Sequence, residues 1–257
     1  MTDKVAVITG GASGIGEACA RHFAADGMRV AILDVNADQG EAVAADIGGR
    51  FIACDVADRN AIEAAAATVT TDWGRIDACV AAAGILEKPT TLMDMDVEAH
   101  DRLWQINYHG TLHTCRAVGK QMSAQGSGAI VTLGSINSFV PLPVPAYCPS
   151  KTAILRLTEM LAVELGRFGV RVNGVAPTYV MTPAIKARIE SGERDPQVIR
   201  DSNALGMLVE PEDVADVIGF LCSDAARAVS GQMIPIDAAH MAKRQYHGFA
   251  GGVPWEQ

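Results

Sequence analysis

Apolar residues along the 257-residue chain fall into two alternating patterns. Short β-branched runs at 4–9, 29–35, 50–56, 76–84, 128–135, 170–177 and 231–237 read as buried strands. Between them, apolar positions recur at the helical period over 14–27, 37–48, 58–74, 97–124 and 210–224, and from the segment YCPSK (147–151) to about Phe168. Gly27 is a stop signal, Asp58 an N-cap, and Pro211 is tolerated in a first turn. Residues 178–210 are irregular, with polar and helical patches. Strand–helix alternation predicts an α/β fold: one doubly wound parallel sheet of about seven strands, covered by helices on both faces.

Nothing inside the chain reads as a linker, so residues 1–237 are expected to form a single domain. Residues 238–257 are Gly-rich with scattered aromatics. They read either as a frayed tail or as an arm packed on a neighbouring subunit, because Tyr246, Phe249 and Trp255 would otherwise expose apolar area.

Composition narrows the class of function. Apolar residues make up 49% and aromatics 5%, which suits small helices on a β-branched sheet. Net charge is −9 with no run of Lys or Arg, so no nucleic-acid partner is expected. No apolar stretch approaches the roughly 20 residues needed to span a membrane, and the segment before KVAVITG has no charged and apolar leader pattern, so no signal peptide is expected. Six cysteines (19, 54, 79, 115, 148 and 222) form no C-x-x-C pair and suggest no metal site. They read as reduced, mostly buried thiols of a cytoplasmic protein.

Two segments carry chemistry. TGGASGIG (9–16) follows the first strand and opens the first helix. Gly10, Gly14 and Gly16 let the chain turn tightly and approach a pyrophosphate, to which the helix start offers unpaired N–H groups. A glycine cluster alone also makes ordinary turns, but its place between strand and helix leads us to expect a Rossmann-type dinucleotide site. In YCPSK, Tyr147 and Lys151 lie one helical turn apart. Pro149 inside a helix would be costly, but in a first turn it is not, so the helix is expected to begin near 146–148.

The TGxxxGxG spacing and the YxxxK pair, with Ser135 twelve residues before Tyr147, resemble the short-chain dehydrogenase/reductase family from residue 4 to about 237. The resemblance implies Tyr147 as acid/base, Lys151 as the cation that tunes it and holds the nicotinamide ribose, Ser135 on the substrate oxygen, and Asn107 in a water-mediated proton path. It implies cofactor contacts from Ser13, Ile15, Asp55, Val56, Ala82, Gly84, Pro177, Val180 and Thr182, besides the glycines. Asp34, ending the second strand, would bind the adenosine ribose hydroxyls and repel a 2′-phosphate, so NAD is expected over NADP.

Two positions depart from the family pattern: Ala81 replaces an Asn that braces the sheet, and Thr178 replaces a Gly. The expected reaction interconverts a secondary alcohol and a ketone. The pocket wall includes polar Asn137 beside Tyr179 and shows no cluster of Arg or Lys, which points to a polyol or sugar; a hydrophobic cyclic alcohol is the alternative. Residues 178–210 would form a lid, and the family suggests a homotetramer. Weighed against this are a non-catalytic NAD-binding sensor, a nucleotide-sugar epimerase, and reduction of a C=C bond, which usually comes with a wider Tyr-to-Lys spacing.

Overall fold

The computed structural model describes residues 3–253, so Trp255 lies outside them. Seven strands form one parallel sheet: β1 (Val5–Thr9), β2 (Arg29–Asp34), β3 (Arg50–Ala53), β4 (Ala78–Ala81), β5 (Gly128–Leu133), β6 (Val170–Pro177) and β7 (Met233–Ile236), in the order β3-β2-β1-β4-β5-β6-β7. The chain winds outward from β1 in one direction, then crosses to β4 and winds in the other. That reversal opens a crevice beyond the carboxyl ends of β1 and β4.

Alternate residues of each strand serve opposite faces. Val5, Val7, Ala31, Leu33, Cys79 and Ile130 pack with α3 (Arg59–Trp73), α5 (Gly110–Gln125) and α6 (Tyr147–Gly166). Ala6, Ile8, Val30, Ile32, Val80 and Val131 pack on the other face with α1 (Gly14–Ala25), α2 (Ala37–Ile47) and α9 (Pro211–Cys222). Both faces are thereby dry, which explains why the strands read as continuous apolar runs. All six cysteines are unbridged, four of them buried.

Most strands are shorter than their apolar runs, because those runs continue past the last ladder bond. Cys54, Asp55 and Val56, expected within the third strand, leave the sheet after Ala53 and border the crevice. The helix expected over 97–124 is α4 (Val97–Trp104), a π-helical turn at Gln105–His109, and α5. Two short helices, α7 (Pro183–Glu190) and α8 (Pro196–Asp201), stand in the irregular segment, and α10 (His240–His247) follows β7. Lys243 Nζ on α10 donates to the carbonyls of Asp201 (2.8 Å) and Asn203 (3.2 Å), so this part of the tail packs on the 178–210 segment of its own chain.

Both departures from the family pattern are accommodated. Ala81 pairs with Thr9 and Thr132, whose hydroxyls are occupied: Thr132 with Thr158 at 2.6 Å, and Thr9 accepting the Ala83 N–H at 3.4 Å. Thr178 needs no glycine, since the only non-Gly residues with positive φ among those described are Ala238 and Ala239.

Asp77 secures the sheet edge away from the crevice. Its Oδ2 accepts the Val5 N–H (2.9 Å) and the Arg75 Nε–H (2.8 Å). Asp77→Ala strands the Val5 N–H at the head of β1, and equilibrium denaturation is expected to show a loss of about 1–3 kcal/mol.

Candidate active site

The crevice holds two adjoining clefts. The first, of about 370 Å³, is lined by the glycine loop, Asp34, Asp55, Ala82, Gly84 and Lys151. Gly10 and Gly14 adopt φ of +67° and +56°, which L side chains rarely take. A Cβ on Gly16 would lie 2.1 Å from the Gly10 carbonyl oxygen, so only glycine lets α1 start this close to the loop. Ser13, at the N-cap of α1, makes no side-chain capping bond, so the first-turn N–H groups face the cleft without a local acceptor. Asp34 is oriented by its own backbone contacts, accepting the N–H of Ala12 (3.1 Å) and of Asn36 (3.0 Å). A tight glycine turn, bare helix donors for phosphate and a carboxylate at the tip of β2 together fit a dinucleotide.

Asp55 accepts a 3.1 Å bond from Arg102 on α4, which lines the same cleft. No local pattern announces this pair, whose members are 47 residues apart. Together with the Ala57 N–H it lowers the Asp55 pKa: the backbone bond contributes most, burial opposes it, and Arg102 adds to it. Val56 packs against α5, where a Cβ on Gly110 would come within 2.5 Å of it.

The second cleft, of about 870 Å³, is lined by Ser135, Asn137, Tyr147, Pro177, Tyr179, Val180 and Thr182, and by lid and α10 residues. The last group includes Arg188, Arg194, Lys243 and Arg244. This corrects the expectation of a wall without basic residues: those cations come from segments remote in sequence. Val180 pairs with Val209 in an isolated parallel bridge that ties the two ends of the 178–210 segment.

Helix α6 begins at Tyr147, so Pro149 falls in the first turn, where no N–H is required. Tyr147 lines both clefts. Lys151 is buried, its Nζ 5.4 Å from the centre of the Tyr147 ring and bonded to the Leu133 carbonyl at 2.7 Å. Burial pushes the Tyr147 phenol up to about 12, against a hydrogen bond from Ser135 that lowers it. Burial likewise brings the Lys151 ammonium down to about 8.

Ser135, just beyond β5, accepts the Asn137 N–H at 3.2 Å. Asn137 turns its amide nitrogen to Cys148 Sγ at 3.0 Å, so Cys148 holds a residue of the larger cleft's wall. Ser138 bridges the two segments, donating to the Lys151 carbonyl at 2.7 Å and accepting from the Ser135 N–H at 3.3 Å.

Asn107 sits fully buried in the π-helical turn. Its amide clamps the backbone of Ile85, accepting the N–H at 2.9 Å and donating to the carbonyl at 3.0 Å. A Cβ on the adjoining Gly84 would lie 3.3 Å from Asn107 Oδ1 and 4.0 Å from Lys151 Nζ, so all three meet at one point.

Sequence reading missed Glu87. The start of α6 has no local cap; Ala146, at the N-cap position, is itself helical. Instead Glu87 Oε2, from the loop after β4, accepts the N–H of Ala146 (3.0 Å) and of Tyr147 (2.8 Å). An anion at a helix start is also favoured by the dipole.

A family model described as "Enoyl-(Acyl carrier protein) reductase" matches residues 10–238. D-threitol dehydrogenase of Mycolicibacterium smegmatis is 39% identical over 95% of both chains. The chain belongs to the short-chain dehydrogenase/reductase family. It is therefore an oxidoreductase of a family that binds a nicotinamide cofactor.

Cis-4-hydroxycyclohexanecarboxylate dehydrogenase of Sinomonas cyclohexanicum is 37% identical over 94% of this chain and 98% of the relative. Among solved structures, one described as ribose-5-phosphate isomerase from Brucella melitensis 16M superposes with TM-score 0.92 at 33% identity, over 97% of this chain and 96% of its own. NAD+-bound xylitol dehydrogenase superposes with TM-score 0.86 at 28% identity, over 92% of this chain and 98% of its own. No helix among the described residues is long and apolar enough to cross a membrane.

Removing the Glu87 carboxylate leaves two N–H groups beside Tyr147 without their acceptor. Glu87→Ala is expected to cost about 1–2 kcal/mol in thermal or urea denaturation, with Glu87→Gln recovering part of it.

Proposed function

We propose that this chain is an NAD-dependent dehydrogenase that interconverts a secondary alcohol and a ketone, with polyols or sugars as its substrate class. One observation carries the reading. Of the residues that line both clefts, Tyr147 is the only titratable one. An acid/base group there reaches a substrate hydroxyl on one side and the cofactor on the other.

Bound NAD supplies the hydride acceptor. Tyr147 takes the proton of the substrate hydroxyl in oxidation and returns it in reduction. Burial leaves its phenol a poor base, raised to about 12. Two positive charges bring it within range: the Lys151 ammonium and the oxidised cofactor. Ser135 donates to the substrate oxygen as charge develops there. Asn107 fixes the loop at Gly84 beside Lys151, and the family resemblance adds a water-mediated proton path from it. Gly10, Ser13, Gly14, Ile15 and Gly16 hold the pyrophosphate; Asp55, Val56 and Ala82 border the adenosine; Pro177, Val180 and Thr182 border the nicotinamide.

The preference for NAD rests on Asp34, whose carboxylate would repel a 2′-phosphate. Arg102 and Lys151 are the only cations lining this cleft among the described residues, and Arg102 is already paired with Asp55. The polyol class is supported by relatives named for threitol and xylitol. A hydroxycycloalkane is the second reading, supported by the relative named for cis-4-hydroxycyclohexanecarboxylate. Reduction of a C=C bond, the activity in the family model's description, fits less well with the four-residue Tyr-to-Lys spacing. We place residues 1–237 in one catalytic domain with the lid at 178–210, in a cytoplasmic homotetramer.

Initial rates of NADH formation over a panel of polyols, sugars and cyclic alcohols test the reading. Tyr147→Phe is expected to lose at least about 100-fold in kcat. NADP is expected to be the poorer cofactor; faster turnover with NADP would overturn the reading of Asp34.

Lys151 gives a separate test with a defined sign. A positive neighbour lowers the phenol pKa, so its removal raises it. In Lys151→Met the alkaline rise of kcat/KM for alcohol oxidation should move up by about one to three pH units. The loss is then greatest at pH 7–8 and shrinks as the pH is raised.

A further inference from the structure

The charges around the larger cleft are unevenly matched. Four cations line it: Arg188 and Arg194 from the 178–210 segment, and Lys243 and Arg244 from α10. Among the described residues, none of the four pairs with a carboxylate. The carboxylates of the same wall are turned to other donors. Glu87 accepts the N–H of Ala146 and of Tyr147, and Asp195 that of Gln197 at the start of α8 (2.7 Å). Asp201 accepts from the Gln197 amide (2.9 Å), and Glu193 from the Ser191 hydroxyl (3.5 Å). A cation that faces a cleft with no counter-charge complements an anionic ligand.

Arg188 is the best placed of the four. It is half-buried on α7. Ile185, one turn earlier, packs with Met181 and Ile199 in a small apolar cluster, which fixes the helix face that looks into the cleft. Arg188, three residues on, shares that face and lines the cleft with it. Its Nη2 donates to the Glu87 carbonyl at 3.5 Å, the one hydrogen bond its side chain makes among the described residues. Glu87 in turn holds the Tyr147 N–H at 2.8 Å. The guanidinium is thereby tied, through a single residue, to the tyrosine that lines both clefts.

The other three cations are less free or less enclosed. Lys243 spends its Nζ on two carbonyls, Arg194 gives Nη1 to the Glu193 carbonyl at 3.0 Å, and Arg244 is exposed. The Arg188 fork has five N–H donors, most of them uncommitted, and two can meet a carboxylate or a phosphate side by side.

We propose that Arg188 binds an anionic group of the substrate, a carboxylate or a phosphate monoester, while Tyr147 works on a hydroxyl of the same molecule. The proposal rests on the dehydrogenase reading above and deepens it: the polyol, sugar or cyclic alcohol that the site takes is one that carries an acid. A neutral analogue is disfavoured because it leaves the guanidinium without its partner.

The test compares kcat/KM with NAD inside matched pairs: xylonate against xylitol, xylitol 5-phosphate against xylitol, and 4-hydroxycyclohexanecarboxylate against its carboxamide. Wild type is expected to favour the acid by about tenfold or more in at least one pair, and the pair that shows it tells carboxylate from phosphate. Arg188→Met is expected to lower that ratio by about tenfold, chiefly through KM, and Arg188→Lys to recover part of it. Because the ratio is taken within one preparation, partial misfolding of a variant cancels. A wild-type preference below about twofold in every pair, or a ratio unchanged in Arg188→Met, would overturn the proposal.

If wild type turns over no member of any pair while still binding NADH, the dehydrogenase reading fails on its own. Calorimetry of the three acids into the NADH complex then decides the anion site. Binding of one of them, weakened about tenfold by Arg188→Met, supports it; no binding to wild type, or equal binding to the variant, refutes it.

Discussion

Every helix of this fold begins with backbone N–H groups that have no partner within the helix, and the site is organised by how those donors are met. Four helix starts are closed by a side chain close in sequence: Asn36 for α2, Asp58 for α3, Asp96 for α4 and Asp195 for α8. The starts of α1 and α7 have no side-chain cap, and Gly14 and Pro183 at those starts line the smaller cleft. The start of α6 receives a carboxylate from sixty residues upstream. The uncapped donors border the smaller cleft, and the long-range cap lies at Tyr147, which lines both clefts.

The Glu87 contact joins two parts of the site that the chain builds separately. The loop after β4 borders the cofactor cleft, while α6 carries the Tyr–Lys pair. Asn107 grips the same loop at Ile85, two residues before Glu87. The loop is thus held from both sides, and the spacing between Gly84 and Lys151 is set by packing rather than by the cofactor.

Local patterns in the sequence carried most of the architecture. The β-branched runs and glycine stops located all seven strands, and the capping preference of Asp58 held as expected. The glycine loop and YCPSK were legible because their chemistry depends on spacing within a few residues. What could not be read was non-local. Glu87 carries no signal for a cap on a helix that starts at residue 147. Arg102 and Asp55 meet only once α4 crosses the end of β3. Arg188, Arg194 and Lys243 line one cavity only once the 178–210 segment and α10 have folded over it. Strand ends were overextended for a simpler reason: an apolar residue facing a cleft reads the same as one inside a sheet.

The π-helical turn at Gln105–His109 has a consequence for how the long helix counts its residues. Such a turn accommodates one residue more than a regular one, and each residue in an α-helix advances about 100° around the axis. The faces of α4 and α5 are therefore set out of phase, which lets Arg102 reach Asp55 in the smaller cleft while Gly110 makes room for Val56. The turn acts as a vernier between two stretches of one rod. A single-residue deletion within 105–109 could be absorbed as regular helix without breaking the rod, yet it would turn one half against the other and move Asn107 away from Ile85.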